Sequence, residues 1–223
     1  MHKSVDKLIA IQNEIQEKST QLSYNNYKPN IVAVSKTFPL TEVMPLINHG
    51  HIHFGENKVQ EAIEKWSDIK NNFENIKLHM VGKLQTNKVK HVIPLFDYIH
   101  SLDNEKLALK ISQYQKELNK DVKLFIQVNI ANEKQKSGIT MHNLKKFYEY
   151  CVNDLSLNVI GLMCLPPMDE NSDKYFKLLK KNSDDLNLKE LSMGMSSDFN
   201  NAVINGSTFL RLGTIIMGER NTT

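Results

Sequence analysis

Eight short apolar segments recur along the chain, and segments whose apolar residues follow a helical spacing separate them. Strands that alternate with helices favour parallel pairing, because each helix can carry the chain back to the start of the next strand. An eightfold repeat of this unit closes into a barrel of roughly 200 to 250 residues, and the chain has 223. We therefore predict an α/β protein that forms a (β/α)8 TIM barrel. The predicted strands are residues 31–35, 52–54, 78–81, 98–101, 123–129, 158–165, 190–193 and 208–213.

An additional helix is predicted before the first strand, at residues 4–22. Leu8, Ile11, Ile15 and Leu22 recur there at helical spacing, and polar residues fill most of the gaps. Such a pattern is typical of an amphipathic helix that packs one face on a core. The barrel is thus expected to carry an N-terminal helix beyond its eight repeats.

No linker rich in proline or glycine divides the series, and the chain ends soon after the last predicted strand. We therefore expect a single domain that spans residues 1–223. An open doubly wound sheet is the alternative arrangement of the same elements. No Gly-x-Gly-x-x-Gly motif follows the first strand, which makes that alternative the weaker one.

The composition describes an ordinary globular protein, with 40% hydrophobic and 24% charged residues and a formal net charge of +3. The densest basic stretch, residues 83–91, has no interleaved aromatic residues, so we expect no nucleic-acid partner. No segment reaches the length and apolarity of a membrane span or a signal peptide. Cys151 and Cys164 fall in apolar patterns and indicate buried thiols, which favours a cytoplasmic location.

Lys36 is the strongest candidate for chemistry. It follows the unbroken apolar run 31–34 and Ser35, and Pro39 begins the next helical segment. A lysine at the carboxyl end of a buried parallel strand sits where α/β proteins bind ligands. Partial burial would disfavour its ammonium form and free the amine to attack a carbonyl group. The alternative is a surface lysine without a role.

The loops after strands seven and eight favour a phosphate group. Gly194 permits a turn, and Ser196 or Ser197 can cap the short helix that begins at Phe199. Free amides at that helix start would attract an anion. Strand eight ends in Gly213 and Thr214, and loops at these two positions of a barrel often bind phosphate together.

Arg211 lies inside an otherwise apolar strand, so its guanidinium needs acceptors once it is buried. It can pair with a core carboxylate, or it can meet a ligand near the phosphate loops. Asn57 follows strand two and has two possible roles as well. It can cap the next helix, or it can offer its amide to a ligand in the barrel mouth.

A metal centre is a separate possibility. His51 and His53 alternate on one face of strand two, with His49 close by, and paired histidines can hold zinc. His79 and Asp198 are the only plausible additional ligands, because strands five and six carry no His, Asp or Glu in their cores. We expect no metal, and we expect these histidines to bond backbone groups or solvent.

Seven segments, in order from about residue 31 to 220, resemble signatures of one family, the pyridoxal phosphate homeostasis proteins (the YggS/PROSC family). The segments are 33–37, 54–61, 82–88, 136–138, 161–163, 191–196 and 211–214. One departure is Lys83, where the family commonly has proline or another residue, and it affects only local detail. The resemblance implies a barrel like the N-terminal domain of alanine racemase, which is fold type III of the enzymes that use pyridoxal 5′-phosphate.

The resemblance also implies roles for the site residues. Lys36 would hold pyridoxal 5′-phosphate as an internal aldimine, and Ser196, Gly213 and Thr214 match positions that hold the phosphate. Arg211 matches the arginine that faces the pyridine nitrogen, and Asn57 matches a polar residue of the pocket. An arginine there discourages protonation of the ring, which makes the ring a poorer electron sink.

We therefore expect a cofactor carrier in pyridoxal phosphate homeostasis without robust catalysis, which transiently meets apo-enzymes and is monomeric. A racemase with the same cofactor is the main alternative. It would need a second acid or base opposite Lys36, which alanine racemase takes from a second domain. A zinc hydrolase centred on His51 and His53 is another alternative. A Schiff-base aldolase is weaker, because its lysine belongs on a later strand. The sequence leaves open a second, transient cofactor site at Lys83, Lys88 or Lys136.

Overall fold

The eight predicted strands form one closed parallel barrel. In a computed structural model of the protein, which describes residues 2–24, 26–133, 135–168 and 170–219, each strand pairs with its successor, and the first pairs with the last. The two ends of the predicted domain, residue 1 and residues 220–223, lie outside the described residues. The strands are β1 Asn30–Val34, β2 His53–Glu56, β3 Lys77–Met80, β4 Tyr98–Leu102, β5 Lys123–Val128, β6 Val159–Cys164, β7 Glu190–Ser192 and β8 Phe209–Leu212.

Helices follow the strands in the order that the apolar spacing predicts, so the (β/α)8 architecture is confirmed. The helices are α1 Lys3–Gln21, α2 Leu40–Asn48, α3 Val59–Asn72, α4 Val89–Leu95, α5 Glu105–Leu118, α6 Met141–Glu149, α7 Ser172–Asp185, α8 Phe199–Ile204 and α9 Thr214–Met217. A π-helical turn, Tyr150–Asp154, extends α6, and a 3₁₀ turn, Thr86–Lys88, precedes α4.

The predicted N-terminal helix is confirmed as α1. It buries Leu8, Ile11 and Ile15 against the outside of the barrel, where it packs on α2, α8 and α9. Leu22, which the spacing places on the same face, is the cap residue after the helix and is only half-buried. The helix thus covers the seam between the last and the first repeat.

Two apolar layers enclose the strands. The larger layer lies between the strands and the surrounding helices, and the smaller one fills the barrel interior. The interior layer consists of inward-facing strand residues, as expected when side chains alternate between the two faces of a sheet. Its buried members are Val32, Tyr98, Phe125, Met163 and Phe209. The interior of the barrel, as far as the described residues show, is therefore a packed core.

Among the described residues, no helix is both long and apolar enough to cross a bilayer.

Candidate functional site

A cavity of about 410 Å³ opens at the carboxyl end of the strands, a volume within the range of sites for small molecules. Its wall combines apolar side chains, such as Val81 and Leu165, with polar groups from the loops after β1, β2, β7 and β8. All six residues that the sequence singles out lie in this wall: Lys36, Asn57, Ser196, Arg211, Gly213 and Thr214. Their role in binding stays a prediction, but the fold brings them together.

A second cavity, of about 480 Å³, lies at the opposite mouth between α1 and the amino ends of β1 and β2. His49, His51 and His53 contribute to its wall. Enzymes of this architecture carry their chemistry at the carboxyl end of the strands, so the first cavity is the candidate site although it is the smaller of the two.

Lys36 lies two residues after the end of β1 and is half-buried, and the backbone before it is held by buried polar groups. Ser35 Oγ donates to Glu56 Oε1 at 2.8 Å, and Lys65 Nζ donates to the Ser35 carbonyl at 2.9 Å. Lys65 also pairs with Glu56 at 2.8 Å, and Trp66 Nε1 donates to the same carboxylate at 3.0 Å. The strand end before Lys36 is therefore tied to β2 and α3.

The loop after β7 turns sharply at Gly194, whose φ of +91° is left-handed. A Cβ atom there would lie 2.5 Å from the Cβ atom of Ala202, so the turn also requires the missing side chain. Asp198 Oδ1 then accepts a bond of 2.6 Å from the Met195 amide and closes the turn. The loop is thus held against α8 by its backbone.

Neither Ser196 nor Ser197 caps α8, so that expectation is wrong. Asp198 occupies the cap position, because its carboxylate closes the preceding turn, and the amides of Asp198 and Phe199 bond the Met195 carbonyl. Those two amides are therefore not open to an anion, contrary to the sequence-based expectation. Instead, Ser196 Oγ accepts a bond of 3.3 Å from the Ile215 amide and joins the loops after β7 and β8.

The two joined loops nevertheless fit a phosphate group. The hydroxyl groups of Ser196, Ser197 and Thr214 border the cavity, and Gly213 brings its backbone to the same wall without a side chain. Within the described residues, the N–H groups of Ser196 and Ser197 bond no protein acceptor. Hydroxyl groups and backbone amides of such loops are the donors that bind a phosphate in this architecture.

Arg211 is 5% exposed and lines the cavity. Nη1 donates to Ser192 Oγ at 2.6 Å, and Nη2 donates to the Cys164 carbonyl at 2.9 Å. Burial lowers the pKa of the guanidinium, which the nearby Cys164 and Asp198 partly offset, and an arginine still stays charged at neutral pH. No carboxylate among the described residues forms an ion pair with Arg211, so pairing with a core carboxylate is wrong. Its unused N–H groups can meet a ligand acceptor.

Asn57 follows β2 and lines the cavity, and it does not cap α3. Lys58 occupies the cap position, without a side-chain bond. The backbone of Asn57 packs against Gly82, where a Cβ atom would lie 2.4 Å from the Asn57 carbonyl oxygen. The backbone of Asn57 therefore packs closely on the neighbouring loop, and the residue lines the cavity.

The histidines of the proposed metal centre do not converge on one point. His51 Nε2 lies 2.9 Å from the His53 carbonyl oxygen, as expected for a bond to the backbone. His53 Nδ1 instead lies 2.9 Å from His79 Nε2, so these two rings pair with each other and not with backbone or solvent. Asp198 belongs to the other mouth of the barrel. The described residues contain no group of three His, Cys, Asp or Glu side chains that could hold a metal ion.

Burial keeps these rings neutral. It lowers the pKa of His51 and of His53 from 6.5 to about 4 each, and it lowers the pKa of His79 and of His100 well below 6.5. For His100 the charge of Arg211 adds to the effect.

The sequence analysis did not identify His100 and Ser192. Ser192 accepts a hydrogen bond from Arg211, and His100 in turn bonds Ser192. A signal was present, because β2, β3 and β4 each carry one histidine at an inward-facing position. Val81 and Leu165 were missed as cavity residues for a simpler reason. Each directly follows a strand, and an apolar residue there continues the strand pattern and gives no sign of a ligand.

The comparisons with known proteins agree with this geometry. Residues 7–221 match the family model for the N-terminal domain of alanine racemase. The pyridoxal phosphate homeostasis protein of Aquifex aeolicus is 34% identical over 224 residues, which is 96% of this chain and 97% of that protein. The structure of PipY from Synechococcus elongatus without PLP covers 92% of this chain and 100% of PipY, with 33% identity and a TM-score of 0.78. The structure of PipY with PLP bound has 31% identity over the same shares of the two chains and a TM-score of 0.80.

Proposed function

Since the chain belongs to the pyridoxal phosphate homeostasis proteins of the alanine racemase N-terminal domain family, we propose that it binds pyridoxal 5′-phosphate at Lys36 and takes part in the homeostasis of this cofactor. The observation that carries the proposal is the convergence of a half-buried lysine, a guanidinium and two hydroxyl-bearing loops on one cavity. A homologue with this fold binds the cofactor, as the structure of PipY with PLP bound records.

Lys36 supplies the amine. When bound, the cofactor contributes an aldehyde that condenses with a primary amine, so that a C=N bond forms and one water molecule leaves. Lys36 Nζ must lose a proton before it attacks a carbonyl carbon. The bonded strand end before Lys36 would position the amine for this reaction.

Three groups orient the cofactor. The loops that carry Ser196, Gly213 and Thr214 would hold the phosphate, and Arg211 would donate to the ring nitrogen. A guanidinium opposite this nitrogen opposes its protonation, because two positive charges would then face each other. Asn57 contributes a polar contact from the loop after β2.

We assign the protein a carrier role without robust catalysis. Lys36 and Arg211 are the two side chains with titratable groups among the described residues that line the cavity, and an arginine does not exchange its proton at neutral pH. Racemisation needs a proton donor and a proton acceptor on opposite faces of a substrate. Lys36 alone supplies one of them, whereas binding and release of the cofactor need no second group.

Amino-acid racemisation is the second candidate, because the matching family model is that of an alanine racemase domain. Incubation of the loaded protein with L-alanine, followed by chiral chromatography, separates the two functions. We expect no inversion above that of free pyridoxal phosphate. Steady inversion that Lys36→Ala abolishes would establish the racemase.

The cellular setting follows from the same proposal. We place the protein in the cytoplasm, where apo-enzymes receive the cofactor and where the buried thiols of Cys151 and Cys164 stay reduced. We further propose a single-domain monomer that meets these enzymes transiently.

A binding and transfer experiment tests the carrier role. Ligand-free protein is titrated with pyridoxal phosphate, followed by absorbance and by equilibrium dialysis, and the loaded protein is then mixed with an apo-aminotransferase. We expect one equivalent to bind and the aminotransferase to gain activity. Lys36→Ala should lose the saturable binding, whereas Lys145→Ala, at an exposed residue of α6, should bind like the wild type. Saturable binding that survives Lys36→Ala would contradict the proposal.

A further inference from the structure

A chain of hydrogen bonds crosses the barrel interior from the candidate site to the opposite mouth. Arg211 Nη1 donates to Ser192 Oγ at 2.6 Å, and Ser192 Oγ lies 2.7 Å from His100 Nδ1. His100 Nε2 lies 2.9 Å from His79 Nδ1, and His79 Nε2 lies 2.9 Å from His53 Nδ1. His53 borders the second cavity, so the chain joins the two mouths of the barrel.

The strand register explains why the three rings meet. His53 pairs with Lys77 across β2 and β3, and His79 lies two residues further along its strand. His79 pairs with Tyr98 across β3 and β4, and His100 again lies two residues further along. A step of two residues keeps each side chain on the inner face of the sheet and raises it towards the carboxyl end. The three rings therefore lie at successive levels along the barrel, each nearer to the carboxyl end than the one before.

The chain is enclosed by aromatic side chains. The His79 ring stacks on Tyr98 with centroids 4.2 Å apart, and the His100 ring stacks on Phe125 at 4.4 Å. His79, His100 and Ser192 have no exposed surface. Solvent therefore cannot replace a missing partner, and each buried polar group must bond within the chain.

The surroundings also oppose a positive charge on the rings. Lys77 and Lys123 face His53 and lower its pKa beyond the effect of burial, whereas Asp97 opposes them. Lys70 acts on His79 in the same direction. The three rings are accordingly neutral, and a neutral imidazole donates one hydrogen bond and accepts one.

The direction of the chain then follows from Arg211, because a guanidinium can only donate. Ser192 Oγ accepts from Arg211, so its own proton has one acceptor left, His100 Nδ1. His100 must carry its proton on Nε2 and donate to His79 Nδ1, and His79 must donate from Nε2 to His53 Nδ1. The reverse direction would leave the buried Ser192 hydroxyl without an acceptor, which disfavours it by about tenfold or more.

We propose that Arg211 polarises this chain in one direction, so that His53, His79 and His100 are all Nε2–H tautomers, and that the polarised chain in turn holds the guanidinium in the wall of the cofactor cavity. Ser192 and His100 are thus positioning residues for Arg211. The identity of the ligand that Arg211 contacts rests on the proposed function. The tautomers do not, because they are a property of the ligand-free protein.

Nitrogen chemical shifts of the imidazole rings test the tautomers in ligand-free wild-type protein. Long-range proton–nitrogen correlation spectra distinguish Nδ1 from Nε2 as the protonated atom. We expect the three buried rings to have a protonated Nε2 and an accepting Nδ1. A buried ring with a protonated Nδ1, or an equal mixture of the two tautomers, would overturn the proposal without the need for a variant.

Ser192→Ala tests the positioning role, and Ser101→Ala is the matched control. Ser101 is a buried serine of β4 whose hydroxyl has no partner among the described residues. We expect Ser192→Ala to weaken retention of pyridoxal phosphate by about tenfold, to shift the absorbance maximum of the bound cofactor and to change the His100 ring shifts. Ser101→Ala should change none of these. Ser192→Ala with wild-type ring shifts and a wild-type cofactor spectrum would overturn the positioning role.

The outcomes separate this inference from the proposed function. A protein with three Nε2–H rings that never binds pyridoxal phosphate would refute the proposed function and leave the polarised chain intact. A protein that binds the cofactor at Lys36 but has differently protonated rings would refute the chain alone.

Discussion

Acid should destabilise this protein strongly between about pH 6.5 and pH 4, because its buried histidines are neutral when folded and charged when unfolded. The pKa of His51 and of His53 falls from 6.5 to about 4 in the folded state. Between these values the unfolded chain binds more protons than the folded one. The free energy of unfolding therefore rises with pH in this window and is lost as the pH falls.

The magnitude follows from the two pKa values. For each histidine the pKa shifts from 6.5 in the unfolded state to about 4 in the folded state. This shift lowers the free energy of unfolding by about 2 kcal/mol when the pH falls from about 7.5 to about 5. His51 and His53 together account for about 4 kcal/mol, and His79 and His100 shift in the same direction and add to the loss. The free energy of unfolding of a typical domain is roughly 5 to 15 kcal/mol, so much of the stability should be lost at about pH 5.

Urea unfolding of the ligand-free protein, followed by far-ultraviolet circular dichroism at constant ionic strength, measures this loss. We expect the midpoint to fall with pH at a constant m-value. His51→Phe removes one titrating ring and should reduce the loss between about pH 7.5 and pH 5 by about 2 kcal/mol. The control His142→Phe, at an exposed position of α6, should keep the wild-type loss. A free energy of unfolding that stays constant or rises towards pH 5 would refute the reasoning.

Two further predictions concern buried groups. Lys65→Met should destabilise the protein by about 3 to 5 kcal/mol, because it leaves the carboxylate of Glu56 buried without its counterion. Lys58→Met removes an exposed ion pair and should cost less than about 1 kcal/mol in the same urea titration, so equal costs would contradict the assignment. Burial raises the pKa of Cys151 and of Cys164 to about 12, so both thiols should react with a disulfide reagent only after unfolding. Rapid labelling of either thiol in native protein at pH 8 would show that it is accessible.

The fold could be predicted from the sequence because the strands are short and apolar and recur at a regular interval. Each predicted strand overlaps an observed one, and their ends differ by one or two residues where hydrogen bonding outweighs the apolar pattern. The position of Lys36 was predictable for the same reason, because Ser35 and Lys36 are polar residues after the unbroken apolar run 31–34 and mark the end of a strand. The local apolar pattern of the sequence is thus sufficient to predict both the fold and the position of the principal site residue.

The contacts within the site were less predictable, because they depend on groups that are distant in the sequence. Ser196 fits a helix cap by its local sequence, but the Ile215 amide uses its hydroxyl. The histidines fit a metal site by their spacing, but the barrel register stacks three of them through the core, where His100 meets Ser192 from the opposite wall. Only closure of the barrel brings these partners within bonding distance.

The central claim is that Lys36 holds pyridoxal phosphate, and chemical trapping tests it most directly. Purified protein is incubated with pyridoxal phosphate and reduced with borohydride, and the modified peptide is located by mass spectrometry. The account predicts one pyridoxyl group per chain, on Lys36, that is absent from Lys36→Ala. An unmodified Lys36 at saturating pyridoxal phosphate, or an equal label on exposed lysines such as Lys145, would contradict it.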